Sequence, residues 1–174
     1  MTIEWNNFQN TLKNYFANYL AESEEQAATF ITDLYATNVL AGGDLSYKNM
    51  AIKFNKNLLE TALKNSFKIA KNGNTTSHIP QMISQGLIGF WSGAELAKTI
   101  PPPGSIAIVT NFVNNPGTPQ NLQIFNNQKV ELFAKSLMLM FKLHLMTIAG
   151  VTTALVPQPS GPPIPVPFSW TGYA

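Results

Sequence analysis

Residues 130–156 constrain this chain more than any other stretch. They read VELFAKSLMLMFKLHLMTIAGVTTALV. Set on a helix, Gln128, Glu131, Lys135 and Lys142 fall on one narrow side, and Glu131 with Lys135 is a favourable i,i+4 pair. Nearly all of the remaining circumference is apolar. A helix of that kind must be covered around most of its girth. The stretch is therefore expected to be the central helix of a bundle, with the other helices packed on it. A membrane span is the alternative, since residues 136–156 are long enough to cross hydrocarbon. Lys142 and His144 are costly near its middle, they lie on roughly opposite sides, and no cluster of positive charge flanks it.

A chain of 174 residues is one domain, or one domain with tails, and can bury a core without covalent staples. It has no cysteine, which excludes disulfides, thiolate metal sites and cysteine nucleophiles. The N-terminus MTIEWNNFQNTLKNYF is amphipathic and lacks the basic region and apolar block of a secretory signal. All eleven basic residues are lysine and the net charge is only +2, so no nucleic-acid partner is expected. Charged residues make up 11% of the chain, where about 25% is usual. Asparagine and glutamine take their place. A surface this weakly charged, on a chain with 45% hydrophobic residues, is poorly defended against association. It suits a subunit of an assembly, as a homo-oligomer or ring.

Periodicity predicts a first helix over about residues 3–20, with Thr2 as N-cap and Trp5, Phe8, Leu12, Phe16 and Tyr19 as a core stripe. Ser23 with Gln26 is a capping box that opens a second helix. Ala27, Phe30, Ile31 and Leu34 are its expected buried side, and Gly42-Gly43 its end. A third helix is expected from Asp44 or Ser46 to about Lys71. Its core face would include Tyr47, Met50, Ala51, Phe54, Leu58, Leu59 and Leu63, with Lys53, Lys56, Lys64 and Lys68 opposite. Pro80 suits the first turn of a fourth. There Gly86, Gly89, Gly93 and Ala97 recur at helical spacing, and the glycines imply a helix contact in which another backbone comes close. Pro101-Pro102-Pro103-Gly104 then breaks the helix, residues 105–113 read as a strand, and residues 120–125 as a short extended piece.

After residue 156 come six prolines, at 157, 159, 162, 163, 165 and 167, which forbid helix and favour an extended shape. A flexible linker would be polar. This segment carries Ile164, Val166, Phe168, Trp170 and Tyr173, the expected partner-binding residues of a C-terminal arm. Docking on the chain's own bundle and docking on a neighbour both fit that pattern.

Catalytic chemistry finds little support. His78, expected in a polar loop, and His144, expected in the packed face, have no H-E-x-x-H or carboxylate partner spacing. Glu24 and Glu25 are a helix-start pair, and Asp33 and Asp44 lack a calcium-loop context. There is no phosphate loop, and Ser92 is not in G-x-S-x-G. The sequence therefore predicts no enzyme, no cofactor and no metal site.

The arginine-free, asparagine-rich helical part, the hinge IPPPGSIAIVTNFVNNPGTP and the tail PPIPVPFSWTGYA together resemble small virion proteins of tailed bacteriophages. That resemblance implies a location in the virion, as a subunit of the tail, baseplate or neck in contact with other virion proteins. The expected fold is mainly α: a bundle of about five helices around the central apolar helix. It comprises a helical domain over residues 1–156, with an extended insert at about 101–126, and the proline-rich arm over 157–174. The alternative function is a membrane-associated or membrane-spanning protein using residues 130–156.

Overall fold

The computed structural model describes residues 4–18, 23–41, 51–71, 78–100, 105–109, 112–113 and 130–171. Thr2, Tyr19, Gly42-Gly43, Asp44, Ser46, Tyr47, Met50, residues 101–104 and residues 120–125 lie outside them. The chain is mainly helical. The described residues form five helices, α1 (Trp5–Asn18), α2 (Glu24–Ala41), α3 (Lys56–Lys71), α4 (His78–Trp91) and α5 (Val130–Leu145). The same residues include six strands: β1 (Ala51–Lys53), β2 (Glu95–Ile100), β3 (Ser105–Val109), β4 (Phe112–Val113), β5 (Ala149–Val156) and β6 (Ile164–Thr171). They form two antiparallel three-stranded sheets, ordered β1-β2-β3 and β4-β5-β6. The strand expected over 105–113 supplies both β3 and β4, so one stretch of chain serves both sheets.

Aromatic rings tie the helices together. Phe8 on α1 lies 6.0 Å from Phe141 on α5, and Phe141 lies 4.9 Å from Tyr35 on α2. Tyr35 meets Phe90 on α4 at 5.0 Å and accepts a hydrogen bond from Trp91 Nε1 at 3.1 Å. Burial pushes the Tyr35 phenol well above its usual range, and the Trp91 bond acts the other way. Tyr35 and Trp91 thus bury large apolar rings with their polar atoms satisfied by each other. Trp5, Phe8 and Leu12 are buried as the stripe on α1 requires, with Phe16 half-buried against Phe133 at 4.7 Å.

α2 starts where the capping box places it. Gln26 N–H donates to Ser23 Oγ at 3.2 Å, and Ser23 N–H donates to Gln26 Oε1 at 3.4 Å. Ser23→Ala should cost about 1 kcal/mol, read as a lower denaturation midpoint with an unchanged slope. An unchanged midpoint would mean that the box adds nothing. The buried side of α2 differs from the expected one. Ala28, Ile31, Thr32, Tyr35, Ala36 and Val39 are buried, while Ala27, Phe30 and Leu34 sit half-buried at the border. Window periodicity locates a stripe but not its centre, because side chains on both borders are apolar.

Three expected boundaries are corrected. α3 begins at Lys56, because Ala51–Lys53 is pulled into β1 by pairing with Glu95–Ala97 of β2. Asn55 N–H then donates to Phe90 O at 3.1 Å, fixing the entry to the helix. Two lysines of the expected polar face reach across to α2: Lys56 pairs with Asp33 at 2.8 Å, and Lys64 pairs with Glu25. α4 ends at Trp91, so Gly93 makes no helix contact. It adopts φ +72 in the turn that follows, a helix-terminating position suited to glycine, and Ala97 lies in β2. Third, the apolar stretch 130–156 is not one helix. α5 stops at Leu145, and Ala149–Val156 leaves as β5. Met146 N–H still bonds to Lys142 O at 3.0 Å, but Thr147 Oγ1 caps the His144 carbonyl at 2.7 Å and the helix turns off. No helix among the described residues is long and apolar enough to cross a membrane.

The two glycines before that turn behave differently. A Cβ at Gly86 would lie 2.5 Å from Ala62 Cβ, and one at Gly89 would lie 2.8 Å from Leu58 Cβ. α3 and α4 therefore approach closely along this edge. His78 is the first residue of α4 and exposed, rather than part of a loop.

Candidate functional site

The proline segment pairs with the end of the apolar stretch. β5 and β6 run antiparallel in register from Ala149 opposite Thr171 to Val156 opposite Ile164, forming a hairpin joined through residues 157–163. Each strand has eight residues and spans about 25 Å at the usual rise. The sequence expected an arm beginning at Pro157. The paired element begins earlier, at Ala149.

Prolines inside a strand are tolerated only where the ladder does not need their amides. In an antiparallel pair, alternate residues turn their N–H and C=O toward the partner. Pro165 and Pro167 are alternate residues, so both fall on one side of β6, while Ile164, Val166, Phe168 and Trp170 have the other parity. Among the described residues β6 pairs with β5 on one side, and its other edge is where prolines of one parity are tolerated. Residues that lack amide donors make that edge unfit to add a further strand. The same alternation places Ile164 and Val166 on one face of the strand. Phe168 pairs with Thr152, and Trp170 with Gly150.

The far end of the hairpin is exposed. Leu155 is 68% exposed and Ile164 47%. Val156 and Val166 are half-buried, and every residue from Pro157 to Pro165 is exposed. Gly161 takes φ +98 within the connecting loop. Nearer the body, Gly150 is buried, and β3 lies beside both β5 and β6. No Asp, Glu, Lys or Arg follows Lys142 in the sequence. The result is a stiff, uncharged hairpin, anchored by β4 at its base and presenting aliphatic side chains and prolines at its end. Of the expected partner-binding residues, Ile164, Val166, Phe168 and Trp170 all lie in β6, and Tyr173 lies outside the described residues.

His144 is buried on α5, and burial holds its imidazole at a pKa of about 4, so it is neutral at ordinary pH. His78 is at the exposed start of α4. No group of three or more His, Cys, Asp or Glu among the described residues is arranged to hold a metal ion. The hairpin was legible as an apolar proline segment. Its strand partner was missed because 149–156 continues the apolar run of α5 without a break in hydropathy. The signal was the β-branched cluster Val151-Thr152-Thr153 after Gly150.

No family model matches this chain, and neither a curated protein nor a solved structure similar to it was found.

Proposed function

We propose that this chain is a non-catalytic assembly subunit that grips other proteins with its C-terminal hairpin, and that the body it helps to build is a virus particle of the tailed-bacteriophage kind. The observation that carries the protein-binding reading is the exposed, charge-free end of the hairpin around Leu155 and Ile164. Fully burying one such aliphatic side chain is worth about 1.5–3 kcal/mol, and a strand stiffened by proline loses little entropy on docking. The proline-blocked edge directs a partner to the faces of the hairpin rather than to its backbone. The virion part of the reading rests on the likeness in composition, hinge and tail, with the tail, baseplate or neck as the place.

The double substitution Leu155→Ser with Ile164→Ser tests this. Both side chains are exposed, so each change should move stability by no more than about 0.5 kcal/mol. Thermal unfolding should stay near that of the wild type. Particles purified on a density gradient should contain the wild-type chain and be depleted at least tenfold in the variant. A variant incorporated at wild-type level would remove the hairpin from the reading. Absence of the wild-type chain from particles would remove the virion.

A further inference from the structure

The two faces of the hairpin differ. Residues directly opposite in an antiparallel pair turn their side chains to the same face. Pro165 is opposite Leu155, and Pro167 is opposite Thr153. All four are exposed, Leu155 the most open at 68%. The other face carries Ile164 opposite Val156, then Val166, and both valines are half-buried. One face of the hairpin is thus a platform of two proline rings, a leucine and a threonine, open to water and without charge.

The backbone beside that platform is unbalanced. Pro165 and Pro167 have no N–H to give to β5, so they occupy positions whose polar groups turn away from it. Ile164 and Val166 then face the ladder. Among the described residues no strand pairs with the outer edge of β6. Over Pro165 and Pro167 that edge offers two carbonyl oxygens and no N–H. The connection before it repeats the bias. Of residues 157–163, only Gln158, Ser160 and Gly161 carry an amide hydrogen on the backbone, while every one carries a carbonyl. The side-chain amide of Gln158 donates within the hairpin, to Val156 O at 3.4 Å. Every residue from 162 to 167 is a proline or precedes one, so the stretch is held extended before any contact is made.

These features select what covers the platform. Burying carbonyl oxygens without donors is costly, so the covering surface must bring hydrogen-bond donors. Hydrocarbon brings none, which speaks against a lipid bilayer. The same stretch of a second copy would set carbonyl against carbonyl. Lysine or arginine would lose hydration against a face with no charge to offset the loss. Neutral donors on flat apolar side chains fit: the indole N–H of tryptophan and the hydroxyl of tyrosine. Their rings can lie over the proline rings while their polar atoms reach the carbonyls at the edge. Aromatic-lined grooves take proline-rich segments in this way.

We infer that the partner gripped by the hairpin is a protein whose docking surface exposes tryptophan and tyrosine side chains, which cover Leu155, Pro165 and Pro167 and donate hydrogen bonds to the outer edge of β6. The inference rests on the reading that the hairpin binds protein, and adds the chemistry of the other side.

Indole is the probe. It has the ring and the donor of tryptophan, and 1-methylindole keeps the ring without the donor. Titrated into the intact chain, indole should shift the NMR signals of the Leu155 methyl groups and of the Pro165 and Pro167 rings. 1-Methylindole should bind about fivefold more weakly, the effect of losing one hydrogen bond. Leu155→Ser should lose most of the indole response with an unchanged unfolding temperature. No shift at these residues at the solubility limit of indole would overturn the inference. So would equal binding by 1-methylindole, or sedimentation of the chain with phosphatidylcholine vesicles that Leu155→Ser abolishes. The particle experiment reports separately. Depletion of Leu155→Ser/Ile164→Ser from particles without indole binding fails this inference alone. Indole binding with that variant retained in particles fails the assembly reading.

Discussion

Leucine at position 86 should lower the melting temperature by about 6 °C. The cause is rigid contact. The first added carbon would sit 2.5 Å from Ala62 Cβ and 3.4 Å from Leu59 Cα, atoms fixed to the backbone of α3. No rotamer change relieves either, so α3 and α4 must separate, opening the packing around Leu59, Leu63, Ile83 and Leu87, all fully buried. Overpacking of this kind costs about 3 kcal/mol at the upper end of its usual range. Replacing a mid-helix glycine returns up to about 1 kcal/mol of helix propensity, which does not offset it. At 2–4 °C per kcal/mol for a chain of this size, the net loss of about 2 kcal/mol lowers the midpoint by about 6 °C. Circular dichroism melts of Gly86→Leu, Gly86→Ala and the wild type measure it. If all three coincide, the helices are not held at this distance.

The neighbouring glycines separate the mechanisms. At Gly89 the atoms met are Leu58 Cβ, Cγ and Cδ1, and Leu58 is an exposed side chain that can swing into water. Gly89→Leu should therefore cost less than Gly86→Leu. Nothing lies within 4 Å of a Cβ on Gly93, whose positive φ makes any side chain strained by about 1–2 kcal/mol instead. In sequence the three residues look alike. Spacing shows that glycines share a helix face, but not where the helix stops. Gly93 belongs to the stop, and only the strand pairing of Glu95–Ile100 with β1 and β3 makes that plain.

The same limit explains what was legible elsewhere. Local signals were read well: the Ser23–Gln26 box, the stripe Trp5, Phe8 and Leu12, and the β-branched run at Ser105–Val109 all depend on residues close in sequence. What escaped depends on distant partners. Ala51–Lys53 becomes a strand because β2, more than forty residues on, offers an edge. Residues 149–156 become a strand because β6 pairs with all eight of them. Hydropathy along 130–156 is unbroken, and only the tertiary pairing divides it. The exposure on α5 was hidden for a related reason: an apolar girth was expected to be covered within the chain, and Leu132, Leu143 and Met146 are not.

Acidification from pH 7 to 4 should destabilise the fold through His144. Burial lowers its pKa from 6.5 to about 4 in the folded state. Unfolded, the same imidazole takes up a proton near its ordinary value. Between these two values the unfolded chain binds more protons than the folded one, so stability rises with pH across that window and falls as pH drops through it. The stabilisation is complete above about pH 6.5 and exhausted near pH 4. The full excursion is on the order of 3 kcal/mol, at about 1.4 kcal/mol per pKa unit. Glu25 acts at a different point. The hydrogen bond and the charge of Lys64 hold its carboxyl below the ordinary 4.5, so what it contributes is lost only as pH falls further. Thermal or urea unfolding of wild type and His144→Leu, measured from pH 7.5 to 4, separates the two. The wild type should weaken steeply between pH 6.5 and 4, and the variant should be nearly flat over that interval. Parallel curves for the two proteins would assign the acid sensitivity to other groups and would mean that His144 is protonated as easily in the folded chain as in water.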